Sequence, residues 1–482
     1  ILANFDALSN EFDKNIYPIL TSVFGSEWKP GVDGDSKITI FFHAMKNSTA
    51  GYFRSTDEYL KLQVPDSNER EMLYIALAHI NEPQLKIFVA HEFVHLITFN
   101  QKDRINNVQE EVWLNEARAD YASTILGYDS AYEGSNLQKR AKDFLNSPSD
   151  SLTEWQDSKY DYAAASMFMH YLVDHYGINI LSDSLKLKLV GIASINDILA
   201  KNGYQEDFAQ IFTNWTIAMV INECSLDIKY CYLNQNLKNF RINPSLNFLP
   251  LSGNSSLSVT NVTKNWSGNW QKIIGGSGDL KLDFSSLAGL KFQVPYITVT
   301  KDNKYAVHFL KLDSSQKGQI TIERFGDEYS SLTIMPSLQT KTAGFNGLEF
   351  TYPYTFTVSI TGAVHVEDAV VIQKLLEQIE SLKKQISALQ AKSGGQNPGN
   401  NLCGALNSNL YAGVLNKADV SCLQQFLKLQ GADVYPEGLV TGNFRSLTRA
   451  AVIHFQKQYG ILQTGFVGPL TRAKINQLLN GR

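Results

Sequence analysis

Hydrophobic residues in the N-terminal half of the sequence follow two periods in turn. Short apolar or alternating runs, KITIFFHA at 37–44, GYF at 51–53 and EMLYIALAH at 71–79, predict three strands. Longer runs with the helical period predict helices, the first of which begins near Asn81 and Pro83 and carries KIFVAHEFVHLITF. Further helices are predicted over 110–126, 160–176, 195–201 and 206–221. These elements predict an α+β domain over residues 1–232.

Residues 233–364 have a different texture. Segments such as KFQVPYITVT, GQITIERF and YTFTVSI alternate apolar with polar residues and are separated by Gly, Ser and Asn. Several short alternating strands with frequent turn residues are typical of a β-sandwich. No cluster of His, Cys or carboxylates with ligand spacing occurs in this stretch, so we expect it to serve packing or interaction.

A heptad pattern follows between residues 365 and 392. Its apolar positions are separated alternately by three and four residues: Ile372, Leu375, Ile379, Leu382, Ile386 and Leu389. Ile at a and Leu at d favour a parallel two-stranded coiled coil, hence a homodimer through this stalk. Because the run is short, a single amphipathic stalk helix is the alternative. Residues 393–402, which include SGGQNPGNN, predict a flexible linker.

Composition and charge narrow the class of protein. Hydrophobic residues make up 44% and charged residues 19%, as in folded globular chains. The net charge of -4 gives no basic field, so nucleic acid is not expected as a partner. No apolar run reaches the ~18 residues required for a membrane span, and none is predicted.

The four cysteines form two local pairs, Cys224 with Cys231 and Cys403 with Cys422. Such pairs suit two disulfides that close short loops in an oxidising compartment. Four unpaired thiols in a cytosolic protein are the alternative interpretation. The disulfide interpretation predicts a secreted protein, extracellular or periplasmic.

The motif HEFVH at 91–95 carries the candidate chemistry. His91 and His95 stand at i and i+4, so both imidazoles lie on one helical face and can bind a single zinc ion. Glu92 lies beside that ion and is the general base in H-E-x-x-H enzymes. The motif predicts a catalytic Zn²⁺ site.

A second helix carries NEARAD at 115–120. Residues 96–115 leave enough chain to end the first helix and return, which brings Glu116 to the metal as a third ligand. Asp120 lies one turn further on and is predicted to accept a hydrogen bond from the free ring nitrogen of a ligating histidine.

H-E-x-x-H followed by N-E-x-x-A-D at this distance resembles the gluzincin superfamily of zinc peptidases, and the resemblance implies a zincin fold. The segments FDKNIYPILTSVFGSEWKPGVDGDSKITI, GYF and SNEREMLYIALAH look closest to the hyicolysin family of secreted bacterial peptidases. The G-x-M-E-N segment that binds a free substrate amine in the aminopeptidase branch is absent from this sequence. An endopeptidase is therefore expected.

The resemblance also implies a role for Tyr162. Its distance to Gly177 matches a tyrosine of the zinc aminopeptidases that donates to the oxyanion, and by this analogy Tyr162 stabilises the tetrahedral intermediate. Tyr160 is a rival for the role, and either residue can instead be a half-buried helix tyrosine. His170 and His175 are interpreted as ordinary helix residues.

Two further segments have patterns that are less specific. The run 51–53 is expected to form an edge strand along which a peptide substrate lies extended. Asp33 and Asp35 in GVDGDS suggest a structural Ca²⁺ loop, but the spacing and terminal Glu of an EF-hand are missing. A solvated turn is the preferred interpretation there.

The C-terminal segment 403–482 contains DVSCLQQFL, VTGNFRSLTRAAVIHFQKQYGI and GFVGPLTRAKINQLL. Together they resemble the small three-helix peptidoglycan-binding domain of bacterial envelope proteins. The resemblance implies an all-α domain and attachment to the cell wall. A purely structural cap is the alternative.

The sequence as a whole predicts a multidomain, secreted bacterial zinc endopeptidase that acts on protein or peptide substrates at the cell wall. Two alternatives stay open. One is an inactive or weakly active wall-associated binding or adhesion protein, and the other is a hydrolase of the peptide stems of peptidoglycan.

Overall fold

A computed structural model describes residues 2–46, 49–251, 253–345, 347–361, 405–414 and 417–480. The chain forms two compact units, whose described residues are 2–361 and 405–480. The predicted stalk, 365–392, and the predicted linker, 393–402, lie outside the described residues. The domain boundaries drawn from the sequence therefore stay a prediction, and each unit is described by itself.

The first unit begins with two helices and a small sheet. Its elements are α1 (Leu2–Glu11), a π-helical turn (Phe12–Ile16), α2 (Tyr17–Phe24), β1 (Thr39–His43), β2 (Gly51–Phe53) and β3 (Met72–Ala76). The strand order is β1-β3-β2, with β1 parallel and β2 antiparallel to the central strand. All five residues of β3 are buried, which explains its unbroken apolar sequence. The predicted strand 71–79 is shorter than expected, because residues 77–79 form a 3₁₀ turn.

Seven helices follow and carry the candidate site. They are α3 (Leu85–Thr98), which continues as a π-helical turn (Phe99–Arg104), α4 (Val112–Ile125), α5 (Asn136–Asn146), α6 (Lys159–Tyr176), α7 (Asn179–Leu185), α8 (Gly191–Lys201) and α9 (Phe208–Ile221). Helix α6 begins with a capping box between Ser158 and Asp161 and ends at Gly177, whose φ of 82° is left-handed. Helices α5 and α7 were not predicted from the sequence.

A buried ionic network fixes the connection between α3 and α4. The Glu110 carboxylate accepts a hydrogen bond from Arg118 Nη1 at 2.6 Å and lies 3.5 Å from Lys102 Nζ. Lys102 Nζ also donates to the carbonyl oxygens of Ser184 and Leu189, at 2.8 and 2.6 Å. Buried charges are costly unless every group is paired, and here each one is. The network therefore sets where α4 lies relative to α3.

The rest of the first unit is β-structure. Its strands are β4 (Ser245–Leu249), β5 (Ser255–Thr263), β6 (Gln271–Gly275), β7 (Gly278–Ser286), β8 (Phe292–Gln293), β9 (Pro295–Thr300), β10 (Tyr305–Phe309), β11 (Lys317–Phe325), β12 (Tyr329–Ile334), β13 (Ser337–Leu338) and β14 (Tyr352–Thr361). Nine of them form one sheet with the path β10-β9-β12-β11-β7-β14-β5, while β6 pairs with β12 and β4, and β13 pairs with β8.

The long sheet is joined in its middle by a single residue pair. Strands β11 and β12 meet only at Phe325 and Tyr329, whereas β11 pairs with β7 over most of its length. Residues from both sides of this junction, among them Phe284 and Leu332, belong to one buried cluster. This arrangement is what a folded-over sheet requires, and the β-sandwich stays a prediction.

The helical and β-rich parts of the first unit share a core. Trp266 and Trp270 are 1% and 4% exposed and belong to the same buried cluster as the helices. The indole N–H of Trp270 donates to the Thr216 carbonyl of α9 at 2.8 Å. Ser151 and Ser267 also form an antiparallel bridge between the two parts. Residues 233–361 are therefore packed into the fold of the first unit.

One predicted disulfide is present, between Cys224 and Cys231. Cys422 is also disulfide-bonded, but its predicted partner Cys403 lies outside the described residues. That second pairing stays a prediction. Among the helices that the structure describes, none combines the length and apolar content needed to cross a bilayer.

Among its described residues the second unit contains three helices, α10 (Lys417–Leu429), α11 (Ser446–Gln458) and α12 (Pro469–Asn480), as the sequence predicts. Its small core includes Leu423 and Phe426 of α10 and Val452 and Phe455 of α11. The chain is thus a multidomain α+β protein with a C-terminal helical domain.

Two buried glutamines organise the loops of this unit. Gln424 Oε1 accepts from the Thr441 and Gly442 amides at 2.8 and 2.9 Å, and its amide donates to Thr448 Oγ1 at 2.9 Å. Gln456 repeats the arrangement one helix later: its Oε1 accepts from the Gly465 amide at 2.9 Å, and its amide donates to Thr471 Oγ1 at 3.1 Å. Gln424 in DVSCLQQFL and Gln456 in AVIHFQKQ are therefore structural residues that fix the turn before the next helix.

Candidate metal centre

Two adjacent helices bring the three predicted ligands together. His91 and His95 lie one turn apart on α3, and their Nε2 atoms are 3.1 Å from each other. Glu116 of α4 faces both rings, with its Oε2 3.1 Å from His91 Nε2 and its Oε1 3.5 Å from His95 Nε2. Among the described residues this is the one group of at least three His, Cys, Asp or Glu side chains whose ligand atoms all lie within 4.8 Å.

The donor set fits a zinc ion. Zn–N and Zn–O bonds of about 2.1 Å in a tetrahedron place neighbouring ligand atoms ~3.4 Å apart. The three contacts of 3.1 to 3.5 Å match that edge length. Two Nε2 atoms at 3.1 Å either share one N–H as donor and acceptor or bind one cation together. Two imidazoles and a carboxylate leave a fourth position open, as in catalytic zinc sites.

Electrostatics in the ion-free protein point the same way. Burial opposes a charged ring at His95, but the Glu116 carboxylate outweighs it and raises the His95 pKa to about 9. Burial likewise opposes ionisation of Glu116, yet the two histidines hold its pKa well below the usual value. The site therefore favours a carboxylate together with positive charge on the histidine side, which is the charge that a divalent cation supplies.

The side chain of Glu92 extends from α3 towards the strand β2. It is 6% exposed, and burial raises the pKa of its carboxyl group, while the neighbouring histidines partly counteract that rise. The backbone amide of Phe53 faces the carboxylate and favours its charged form. A Cβ at Gly51 would stand 3.0 Å from Glu92 Oε1 and 2.8 Å from the Tyr74 carbonyl. Only glycine leaves room for β2 this close to Glu92.

Tyr162 lies near the ligands at the start of α6. Its ring centre is 6.2 Å from that of His91, and its hydroxyl donates to Asp157 at 3.2 Å. Burial, followed by the charge of Glu116, raises its pKa. Tyr160 contacts Lys159 instead, through a cation–π distance of 5.1 Å. Of the two rivals, the structure places Tyr162 beside the candidate site.

Asp120 is placed differently from the sequence prediction. Its carboxylate accepts a two-pronged hydrogen bond from Arg140, with Nη2 at 2.6 Å and Nε at 3.0 Å, and a third bond from Asn136 at 3.1 Å. Within the described part of the chain no hydrogen bond joins Asp120 to His91 or His95; Oδ1 of Asp120 accepts from Arg140 and Asn136 instead. Burial opposes ionisation of Asp120, but Arg140, with a smaller contribution from His91, lowers the pKa of its carboxyl group.

Two residues of the site's surroundings were missed from the sequence. Asn115 Oδ1 lies 3.1 Å from His95 Nδ1 and takes the supporting role expected of Asp120. The guanidinium of Arg140 lies 4.6 Å from the Tyr162 ring centre and so links Asp120 to Tyr162. Asn115 was readable in principle, since it precedes Glu116 in the same motif. Arg140 carried no signal, because it lies on the unpredicted helix α5.

The remaining candidates lie away from the ligands. His170 is buried against Tyr121, and His175 Nε2 lies 2.9 Å from the Cys231 carbonyl. Asp33 forms an ion pair with Arg70 at 3.4 Å and accepts from the Asp35 amide at 2.8 Å, as a turn residue does. Asp35 similarly accepts from Lys37.

Comparison with known proteins connects both units to described relatives. The family described as "Putative peptidoglycan binding domain" matches residues 416–475. The second unit carries a peptidoglycan-binding domain. The neutral metalloprotease ShpI of Staphylococcus hyicus is 29% identical over 189 residues, an alignment that covers 34% of this chain. The chain spans 41% of the length of that relative. Both predicted resemblances, to the hyicolysin family of zinc metallopeptidases and to a peptidoglycan-binding domain, are confirmed by these matches.

Solved structures give only remote likenesses. The mitogen derived from Yersinia pseudotuberculosis is 8% identical with a TM-score of 0.17, covering 24% of this chain and 92% of that one. The pre-peptidase C-terminal domain of a Bacillus anthracis collagenase is 7% identical with a TM-score of 0.16, covering 24% of this chain and 96% of that one. Likenesses of this size establish neither fold nor function.

Proposed function

We propose that this protein is a zinc-dependent endopeptidase that works at the bacterial cell wall. The observation that carries the proposal is the His91, His95 and Glu116 cluster with the buried Glu92 beside it. The likeness to a neutral metalloprotease supports the same reaction class. A metal-assisted peptide hydrolase needs three protein ligands, an open fourth position and a nearby base, and each has a candidate here.

A zinc ion held by the three ligands would polarise the scissile carbonyl and lower the pKa of a water molecule. Glu92 takes the proton of the attacking water and returns it to the leaving amine. Its raised pKa suits this exchange, because a base that is too acidic holds a proton poorly. Tyr162 lies beside His91, and its hydroxyl is proposed to stabilise the oxyanion.

Substrate is proposed to bind as an extended chain along β2. This strand pairs with β3 on one side only, so its other edge is open for main-chain hydrogen bonds. Gly51 and Phe53 of the same strand border Glu92, which places that edge next to the reacting centre. The sequence lacks the segment that binds a free substrate amine in the aminopeptidase branch. A bound substrate peptide can therefore continue in both directions from the cleaved bond, as internal cleavage requires.

The second unit is proposed to hold the enzyme at the wall. The peptidoglycan-binding match supports this placement, and the disulfide between Cys224 and Cys231 supports an oxidising location outside the cytoplasm. Two other functions use the same parts. A wall-associated binding protein would retain the wall contact without turnover, and a stem-peptide hydrolase would cut peptidoglycan itself.

The test is the Glu92→Gln variant of the full chain, assayed with zinc present. Loss of the base should reduce casein cleavage by roughly 10²- to 10⁴-fold while zinc content and melting temperature stay unchanged. Glu323→Gln, an exposed substitution on β11, is the matched control. Full activity in Glu92→Gln would contradict the mechanism.

Substrate class is decided by a parallel incubation with isolated sacculi. Release of peptide fragments from sacculi without casein cleavage would favour the stem-peptide hydrolase. Sedimentation with sacculi but cleavage of neither substrate, with zinc bound, would favour the binding protein.

A further inference from the structure

Two carboxyl groups meet inside the first unit, away from the zinc ligands. Glu58 ends the 3₁₀ turn Ser55–Glu58 that follows β2, and Glu71 directly precedes β3. Each residue is 2% exposed. The two carboxyl groups contact one another, and each affects the ionisation of the other.

Three of their four oxygens have no hydrogen-bond donor. Among the described residues, no N–H or O–H group donates to either Glu58 oxygen or to Glu71 Oε2. The fourth, Glu71 Oε1, accepts from the Val32 amide at 2.8 Å. The backbone of Gly31 presses against the same carboxyl group, since a Cβ there would stand 2.0 Å from Glu71 Oε2. The loop therefore holds Glu71 in place without neutralising it.

The nearby arginines form their closest contacts with other groups, and the charge of Arg104 lowers the pKa of Glu58 only slightly against the rise caused by burial. Arg54 pairs with Asp57 at 3.5 Å and also with Asp66, and Arg70 pairs with Asp33 at 3.4 Å. Arg104 lies 3.5 Å from the ring centre of Trp28. In the described ranges no ion pair reaches either glutamate. Buried carboxylates without a partner are strongly unfavourable, so the pair requires either a shared proton or a cation.

Further buried oxygens of the first unit also lack a hydrogen-bond partner among the described residues. The buried side-chain oxygens without a hydrogen-bond partner include Glu27 Oε2, Thr56 Oγ1, Thr98 Oγ1 and Asn100 Oδ1. Thr56 belongs to the same turn as Glu58, and Phe99 packs against Tyr59 with ring centres 5.9 Å apart. The Asn100 side-chain amide donates to the Ser26 carbonyl oxygen at 2.8 Å, and Ser26 directly precedes Glu27.

We propose that Glu58 and Glu71 form a structural calcium site, separate from the zinc-ligand cluster. A shared proton is the alternative that the test below distinguishes, and either would relieve the two buried carboxyl groups. Ca²⁺ takes six to eight oxygen ligands and no nitrogen, which is the chemistry of the unpaired atoms here. The ion would join the loop at 31–32, the turn after β2 and the start of β3. It would thereby stabilise the strand that borders Glu92.

This also changes the meaning of the GVDGDS segment. Its aspartates form turn contacts, whereas the Gly31 and Val32 backbone at its start supports the Glu71 carboxyl group. Asp33 and Asp35 therefore form a turn, as the preferred interpretation predicts, and the proposed calcium site lies on Glu58 and Glu71 instead. The proposal is independent of the enzymatic one, because stability is its readout.

The test uses the full chain carrying Glu92→Gln, which prevents self-digestion, loaded with zinc and stripped of calcium. Adding 10 mM CaCl₂, roughly 100-fold above a Kd of about 0.1 mM at the tight end of the range for extracellular sites, should raise the melting temperature of the first unit by about 3 to 4 °C. Calorimetric titration should give one calcium ion per chain. The same concentration of MgCl₂ should have a clearly smaller effect, because Mg²⁺ demands octahedral geometry and gives up water reluctantly.

Adding Glu58→Gln should abolish the calcium response. Its amide can donate to Glu71 and removes one charge, so in calcium-free buffer this variant should melt no lower than its parent. Glu323→Gln is the control and should keep the full response; Glu71→Gln is the second variant if Glu58→Gln does not fold. A calcium response that survives both substitutions would overturn the proposal. An absence of calcium binding together with stability that falls as pH rises towards 9, the pKa of Glu58, would assign a shared proton instead.

Discussion

Gly51→Ala is the most direct test of how the fold positions the candidate base. The added methyl group would lie 3.0 Å from both Cγ and Oε1 of Glu92 and 2.8 Å from the Tyr74 carbonyl. The backbone conformation at this position suits any residue, so the effect is one of space alone. An ordinary contact needs about 3.4 Å or more, so β2 must move by ~0.6 Å from the Tyr74 carbonyl, and Glu92 must separate from β2 by ~0.4 Å.

The size of the effect follows from that displacement. A misplacement of about 1 Å costs roughly 10²-fold in rate, so ~0.4 Å should lower kcat by about 5- to 10-fold. Overpacking should also cost ~1 to 3 kcal/mol of stability. The change in KM should be smaller, because β2 still offers an open edge to substrate.

The assay is steady-state cleavage of a quenched fluorescent peptide, with zinc content and melting temperature measured on the same sample. Gly203→Ala is the control: its φ of 81° strains the backbone but nothing lies within 4 Å of the new methyl group. It should lose stability and keep kcat. If Gly51→Ala retains full kcat with zinc bound, then Glu92 does not depend on β2 for its position, and the reasoning fails.

Two other predictions concern the ligands. Asn115→Ala removes the partner of His95 Nδ1 and should weaken zinc binding by about 10- to 100-fold, as measured by competition with a chromogenic chelator; unchanged affinity would remove Asn115 from the site. In zinc-free protein the His95 pKa of about 9 exceeds its ordinary 6.5, so the protonated ring stabilises the fold below pH 6.5 and this contribution is lost as pH rises through 9. The melting temperature of zinc-free protein should therefore fall between pH 6.5 and 9, while that of zinc-loaded protein should change little. A flat profile without zinc would contradict the charge assignment.

Local spacing explains why the candidate ligands could be named from the sequence. His91 and His95 lie on one helix, so their relative position depends only on helical geometry. Glu116 required one more assumption, an antiparallel return, and the structure places α4 accordingly. The three-helix C-terminal unit was predictable for a similar reason, since its helices are short and their connections local.

Contacts that depend on packing between distant segments could not be predicted. Arg140 lies in an amphipathic helix with many polar residues, and nothing in that pattern distinguishes it from a solvated arginine until α5 packs beside Asp120. Glu58 likewise stands among charged residues in a segment typical of a surface loop, and Glu71 is the charged first residue of a predicted strand, yet both are buried. Burial of a charged residue is a tertiary property, and hydrophobic periodicity does not report it.

The paired glutamines of the second unit bear on how this domain can vary. Gln424 accepts a hydrogen bond from the Gly442 amide, and residues 425–441 lie between them in the chain. Gln456 accepts from the Gly465 amide, and the intervening segment, 457–464, is much shorter. The same side-chain clamp therefore tolerates connections of very different length, because it fixes only where the loop ends. Insertions and deletions between α10 and α11 can alter the exposed surface without disturbing the helices. A domain built in this way can change its exposed surface while keeping one fold.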